Sequence, residues 1–365
     1  MTATIAAMPA PRENPELIGH AAAERALAAA AASDRLPHAW LLGGPAGIGK
    51  ATLAFRFARH LLAGGAEQEG PGLFGEAPRE DLALDPQHPV FRRVAAAGHA
   101  DLLTVERPPA DEKGKRPQDL PVEAVRRIAP FLRLTAAEGG WRVVVVDEAE
   151  RMNRNSANAL LKVLEEPPAR AVLILVSSRP GALLPTIRSR CRRLALEPLP
   201  EADLIAFLRP RVEGLSPDDL QAVARLAAGS PGRALALVEE GGLDLYRGLI
   251  ELIATLPRLD RVAVHRLGDK LAAPAAEQAW RTVTALFDDW LSRLVRAHAR
   301  GAVPELVLPA EAEVNRRLAG APGLERWLEV WEKTHRLFAR ADSANLDRKQ
   351  VLLQAFTALE EAARA

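Results

Sequence analysis

An early stretch of the chain, Leu41 to Thr52, has the residue types and spacing of a phosphate-binding loop. Within it, the run that ends at Lys50 fits the pattern G-x-x-x-x-G-K. Glycines in such a loop let successive backbone amides turn toward a triphosphate, and the lysine reaches its β and γ groups. The sequence therefore predicts four nucleotide-binding residues, Gly44, Gly47, Gly49 and Lys50.

The residue that follows the lysine departs from this pattern. A Ser or Thr hydroxyl that binds Mg²⁺ is expected there, but this chain has Ala51. Thr52 is one step further, about 100° around the helix. We expect the loop to hold phosphate better than metal, so ATP and Mg²⁺ are candidate ligands with weak or unproductive binding. No metal site built from protein side chains alone is predicted.

Two acidic residues follow a predicted strand further along the chain. The continuous apolar run Val143 to Val146 predicts a parallel strand that is buried on both faces, with Asp147 and Glu148 at its carboxyl end. In phosphate-loop proteins the first acid holds magnesium and the second can polarise the attacking water. Ser178 follows the next predicted strand, residues 172–176, where it either senses a γ-phosphate or simply ends the strand.

The helices and strands next to the loop must position it for ligand binding. Residues 39–42 predict a strand, and apolar residues at helical spacing after the loop predict a helix whose N-terminus faces the anion. Residues 14–36 and 122–134 each predict one further helix. Leu17 to His20, just ahead of the loop, predicts either a packing turn or a segment that covers a nucleotide base.

Composition limits the class of protein. The chain has 365 residues, 48% hydrophobic and 26% charged, which is ordinary for a soluble protein of two or three domains. The single cysteine, Cys191, excludes a disulfide framework. A net charge of +1 gives the whole molecule no electrostatic footprint for nucleic acid. With no apolar run long enough for a membrane span and no signal-peptide pattern, we expect a cytoplasmic protein without membrane contact.

Proline residues after the last predicted strand, residues 193–196, mark a boundary, beyond which only helices are expected. The predicted domains are an α/β nucleotide-binding domain at 1–198, a small helical lid at 199–242 and a helical collar at 243–365. The Gly- and Pro-rich segment 64–121 reads as an insertion of undefined role. Four tryptophans of the collar are predicted core residues, namely Trp280, Trp290, Trp327 and Trp331.

Four motifs together resemble the bacterial clamp-loader branch of the AAA+ ATPases. They are Gly44 to Lys50, Asp147-Glu148, the block 158–168, which contains Leu-Leu-Lys-Val-Leu-Glu-Glu-Pro-Pro, and Ser189-Arg190-Cys191. The motifs cover the first two predicted domains, and the helical remainder matches by architecture and length only. The resemblance implies an α/β fold, an AAA+ phosphate-loop domain with a parallel sheet, followed by a helical lid and an all-α collar. It also implies that Arg190 is an arginine finger for a neighbouring subunit, Ser178 the first nucleotide sensor and Arg233 the second.

The family contains a gamma/tau motor that hydrolyses ATP and a stator that need not do so. Ala51 and the stretch 345–350 favour the stator. Both types commonly hold zinc on four cysteines after the first helix, and because this chain has no cysteine there, no zinc is expected. The resemblance implies partnership with gamma/tau and delta subunits and, through their complex, with the sliding clamp and primer-template DNA.

Two other readings of the sequence remain open. One is an active ATPase of the motor type, and the other is a scaffold subunit of a different DNA-processing AAA+ complex. A small-molecule kinase is a distant alternative, because it leaves Arg190 and the long helical tail unexplained. Under the stator interpretation the chain is a component of the replicative polymerase holoenzyme with little or no ATPase activity of its own.

Overall fold

The structure, a computed structural model, describes residues 4–5, 8–33, 35–64, 81–109, 117–319, 323–344 and 346–364. It consists of two compact units. The α/β unit contains residues 7–203 and 229–232, and the helical unit contains residues 1–6, 204–228 and 233–365. Within the predicted insertion, residues 65–80 and 110–116 lie outside the described residues, as does Asn345 of the stator-like stretch.

The strands are β1 (Thr4–Ile5), β2 (Ala39–Gly43), β3 (Leu102–Val105), β4 (Arg142–Val146), β5 (Ala171–Ser177), β6 (Arg192–Ala195) and β7 (Val212–Glu213). The α-helices are α1 (Ala21–Ala31), α2 (Lys50–Leu62), α3 (Pro89–Ala95), α4 (Val122–Arg126), α5 (Ile128–Arg133), α6 (Arg154–Glu165), α7 (Pro185–Arg188), α8 (Glu201–Leu208), α9 (Pro217–Ala227), α10 (Pro231–Glu239), α11 (Gly242–Ala254), α12 (Arg261–Ala272), α13 (Glu277–Ala299), α14 (Glu311–Ala319), α15 (Leu324–Ala344) and α16 (Arg348–Arg364).

The α/β unit is built on a five-stranded parallel sheet with the strand order β3-β4-β5-β2-β6. Gly43, at the end of β2, is in register with Ser177 at the end of β5. The carboxyl ends of the three central strands therefore meet at one edge of the sheet, which is where ligands bind in folds of this kind. The predicted α/β fold with a parallel sheet is confirmed.

Helices cover both faces of this sheet. Successive strand residues alternate between two buried clusters, so that Val143 and Val145 pack with α1 and α2, while Val144 and Val146 pack with α4, α5 and α6. All four valines are completely buried. This two-sided burial explains why the run is continuously apolar, and it confirms the prediction for β4.

Two helices differ from their predictions. The predicted helix at 14–36 is only α1, because Gly19 and His20 adopt left-handed backbone conformations with φ of 65° and 60°. The predicted single helix at 122–134 is two helices, α4 and α5. Pro130 explains the division, because a proline ring clashes with the carbonyl four residues earlier, here that of Arg126, where α4 ends.

The expectation that strands cease after residue 200 is also wrong. In the helical unit, β7 pairs antiparallel with β1, and Val212 lies opposite Ile5. Each of these strands has two residues, which is too short for an alternating hydrophobic pattern to appear in the sequence.

The helical unit is packed around aromatic side chains. Phe287 on α13 makes edge-to-face contacts with Phe338 and Phe356, at ring-centre distances of 5.4 and 5.5 Å. The tryptophans at 280, 290 and 327 are fully buried, as predicted, whereas Trp331 is half-buried and donates its indole N–H to Asp288 over 3.0 Å. No helix in the described ranges is long and apolar enough to cross a membrane.

Candidate nucleotide-binding site

The phosphate loop joins β2 to α2 and depends on its glycines. Gly44, Gly47 and Gly49 have φ values of 147°, 75° and 102°, a region that side-chain-bearing residues avoid. A Cβ atom on Gly44 would lie 2.4 Å from the carbonyl oxygen of Leu196, so that position also has no space for a side chain. The sequence pattern therefore corresponds to a real loop conformation at the carboxyl edge of the sheet.

Lys50 is directed back onto its own loop and onto the neighbouring strand. Its Nζ donates to the carbonyl oxygen of Pro45 at 2.5 Å and to the hydroxyl of Ser178 at 3.2 Å. The lysine is buried, with 5% of its surface exposed. Burial lowers the pKa of Lys50, and the charges of Glu150 and Asp147 oppose that shift. Two predicted site residues, Lys50 and Ser178, are thus in direct contact.

Three further carbonyl oxygens of the loop have hydrogen-bond partners. Their partners are the Ser230 hydroxyl on Ala46 at 2.8 Å, the Gly232 amide on Gly47 at 2.9 Å, and the His20 ring nitrogen Nε2 on Ile48 at 2.6 Å. Residues 229–232 belong to the α/β unit, although they are distant from the loop in sequence. His20 lies in the segment predicted to pack beside the loop or cover a base, and the structure places its side chain against the loop.

Asp147 and Glu148 end β4 with different surroundings. Burial is the main reason that the pKa of Asp147 is raised, and the backbone amide of Glu148, which donates to Asp147 over 2.9 Å, partly offsets it. Glu148 is held by Arg107, whose Nε and Nη2 each lie 2.5 Å from one of its carboxylate oxygens. This bidentate pair raises the pKa of Arg107 and occupies the carboxylate predicted to polarise water.

Glu150, which sequence reasoning missed, also lies in the site. Its Oε1 accepts the backbone amide of Ser178 at 3.1 Å, and its charge acts on Lys50. Its Oε2 is buried and has no hydrogen-bond partner among the residues that the structure describes. The acid therefore links the short 3₁₀ turn after β4, Ala149–Arg151, to the end of β5.

Arg190 lies elsewhere in the α/β unit, between α7 and β6. Its guanidinium forms an ion pair with Glu165 at 2.9 Å and donates to the Thr186 carbonyl over 3.0 Å. Its side chain is 36% exposed and that of Glu165 is 51% exposed. Two motifs that carry the resemblance, the Glu-Glu-Pro-Pro run and Ser-Arg-Cys, are thus joined by a surface ion pair.

Arg233, the predicted second sensor, belongs to the helical unit. There its guanidinium forms an ion pair with Asp289 on α13. The roles predicted for Arg190, Arg233 and the other site residues stay predictions, because the contacts described above all join residues of this chain to one another.

Sequence signals for the missed residues were weak. Arg107 follows β3, and only the sheet order, which places β3 next to β4, brings it to Glu148. Glu150 is the fourth residue of Asp-Glu-Ala-Glu, but spacing alone did not show that it turns toward Ser178. In the described part of the chain, no group of three or more His, Cys, Asp or Glu side chains is placed to hold a metal ion.

Comparison with known proteins shows the family of this chain. A family model described as DNA polymerase III, delta subunit, matches residues 19–200. The DNA polymerase III subunit delta′ of Pseudomonas aeruginosa is 35% identical over 265 residues, which are 71% of this chain and 72% of that protein. The chain belongs to the delta′ family of DNA polymerase III subunits.

Further relatives agree with this family. The delta′ subunit of Escherichia coli K12 is 34% identical and matches 74% of this chain and 74% of its own length. The gamma/tau subunit of Mycobacterium tuberculosis is 28% identical over 75% of this chain but only 45% of its own length. The predicted resemblance to the bacterial clamp-loader subunits is confirmed by these relatives.

Proposed function

We propose that this chain is the stator of a DNA polymerase III clamp loader, a ring that places the sliding clamp on primed DNA. Membership in the delta′ family carries this proposal. The loss of the metal-binding hydroxyl at Ala51 supports it, because a subunit that only organises its neighbours does not need a complete catalytic site.

The side-chain contacts of the candidate site support the view that its own turnover is negligible. Lys50 bonds to Pro45 and Ser178, and Glu148 is neutralised by Arg107. A catalytic base needs a free carboxylate within reach of water, and an ion-paired one is a poor proton acceptor. ATP, with or without Mg²⁺, is therefore proposed as a weak and unhydrolysed ligand, held by the loop amides and Lys50.

Arg190 is proposed to act on the nucleotide of a neighbouring subunit. A finger must reach outward, and Arg190 is part-exposed and anchored by Glu165. An exposed ion pair stabilises a protein by at most about 1 kcal/mol, so Arg190 can exchange this partner for a phosphate at little cost. Its planar guanidinium suits the charge that develops on a transferring phosphoryl group.

The proposed partners follow from the same role. They are the gamma/tau and delta subunits, and through them the clamp and primer-template DNA. Residues 199–242 and 243–365 are proposed as lid and collar, with the collar joining the subunits. Arg233 is proposed as a sensor that reports on nucleotide from the lid, and its guanidinium pairs with Asp289.

Steady-state ATP turnover by the purified chain tests the stator proposal. We expect no turnover above that of Lys50→Ala, which serves as the control for contaminating ATPase. Turnover that is robust in the parent and abolished by Lys50→Ala would favour the alternative, an active gamma/tau-type motor. Failure of the chain to co-purify with gamma/tau and delta subunits would favour a scaffold in another complex.

A further inference from the structure

The candidate site contains a negative charge that the stator role does not explain. Glu150 lies in the turn after β4, and its Oε1 accepts the Ser178 amide at 3.1 Å. Its Oε2 is buried without a hydrogen-bond partner among the described residues. Leaving a carboxylate oxygen buried and unpaired is costly, so the site is expected to gain something from it.

The neighbours of Glu150 are the groups that normally meet a terminal phosphate. A phosphate-loop lysine reaches the β and γ phosphates, and the strand beside the loop supplies the residue that senses the γ-phosphate. In this structure Lys50 contacts Ser178 directly, at 3.2 Å. Glu150 bonds to the backbone of the same serine and stabilises the positive charge of the same lysine.

We propose that the Glu150 carboxylate takes the electrostatic place of a γ-phosphate beside Ser178 and Lys50. An incoming nucleoside triphosphate would bring its γ-phosphate next to this carboxylate and be repelled. A diphosphate, which lacks that group, would be repelled much less. Glu150 is thus a residue that sets the loop's preference against triphosphates, and the inference rests on the proposed stator role.

The other two acids of the site do not share this position. Glu148 is neutralised by its bidentate pair with Arg107. Asp147 accepts the Glu148 amide, and it follows β4 directly, where magnesium-holding acids stand. Of the three acids, Glu150 is the one whose carboxylate accepts the Ser178 amide, so it is the candidate for the substitute anion.

The test compares ATP and ADP binding by the full-length chain with and without this charge. Glu150→Gln keeps a carbonyl oxygen for the Ser178 amide and removes the charge. Removing a like charge from beside the proposed γ-phosphate position should strengthen MgATP binding by about tenfold or more. MgADP affinity should change by less than about threefold on the same argument. Isothermal titration calorimetry with each nucleotide measures both constants.

Glu138→Gln is the matched control, because it removes the same charge from an exposed pair with Arg93. It should leave both affinities unchanged. Three results would overturn the proposal: no ATP binding by Glu150→Gln, equal changes for ATP and ADP, or a parent chain that already binds ATP as tightly as the variant.

A second variant shows whether the result depends on the glutamine side-chain amide that Glu150→Gln introduces. Glu150→Ala removes the side chain and should show the same shift toward ATP, with thermal unfolding in the presence of ATP as the check on folding. If both variants are unfolded even when ATP is present, the proposal is contradicted. The γ-phosphate of bound ATP is expected to take the place of the removed Glu150 carboxylate and so to stabilise the fold. The stator role is judged separately by assembly and turnover, so either claim can fail while the other holds.

Discussion

Gly44 shows how a single residue fixes the phosphate loop. Its φ of 147° and the 2.4 Å approach of a Cβ atom to Leu196 O exclude any side chain. We expect Gly44→Ala to lower the free energy of unfolding by roughly 2 to 3 kcal/mol, measured by urea denaturation. Gly181→Ala is the control, because a Cβ there meets nothing within 4 Å. Equal losses in the two variants would contradict the loop conformation.

For single residues, the sequence predicted which residues lie in the site better than it predicted which side chains they contact. The spacing of the loop and of the strand ends was enough to bring Lys50 and Ser178 to one edge. It could not show that Glu148 pairs with Arg107, because that contact joins residues from two strands whose adjacency is a property of the sheet order. The engagement of the loop by Ser230 was likewise hidden by the long sequence separation.

Helices α1 and α2 are tied together by a buried ion pair. Glu24 Oε1 accepts from Arg56 at 2.6 Å and from the Leu82 amide at 3.1 Å, and both charged side chains are about nine-tenths buried. Removing one member of a buried pair leaves the other uncompensated, so Glu24→Ala should destabilise the protein by about 3 kcal/mol. Thermal or urea unfolding of the full chain measures this loss.

The control for this element is Glu123→Ala, which breaks an ion pair with Arg126 on the surface of α4. That loss should stay below about 1 kcal/mol. If Glu24→Ala costs no more than Glu123→Ala, the pair does not hold the two helices together.

Among the elements, buried strands were predictable and helix ends were not. The all-apolar runs of β4 and β5 identified the centre of the sheet, because both of their faces are covered. The start of α1 is set by the left-handed backbone of His20, a conformation that its sequence does not demand. The pairing of β1 with β7 joins distant two-residue segments and has no local signal.

For the whole molecule, the structure suggests where an assembly fragment should begin. Within the helical unit, Arg225 on α9 donates to the Leu306 carbonyl over 3.0 Å, and Arg247 on α11 pairs with Asp219 on α9. We therefore expect the fragment 204–365 to unfold at a higher temperature than the predicted collar alone, 243–365. Circular dichroism melting curves of the two fragments test this difference, and equal melting temperatures would contradict it.

The same fragments test whether association resides in the collar. Each is expected to elute together with gamma/tau and delta subunits in size-exclusion chromatography, whereas the fragment 8–203 is not. Separate elution of both collar fragments would place the association surface elsewhere.

The proposed role of this chain in its ring is to present Arg190 to a neighbouring subunit. Arg190→Ala and Arg190→Lys should leave ring assembly intact, since the Glu165 pair is at the surface. Lysine keeps the charge but loses the planar fork, so it should not rescue function. Arg193→Ala, an exposed arginine on β6, is the matched control.

The decisive measurement is clamp- and DNA-stimulated ATP turnover by rings reconstituted with each variant. A finger contributes on the order of a thousandfold at the one site it serves, and because the other sites continue to work, turnover by the whole ring should fall by that site's share. Both Arg190 variants should show this loss, while Arg193→Ala should not. Assembled rings with either Arg190 variant that hydrolyse ATP at the parent rate would contradict the account.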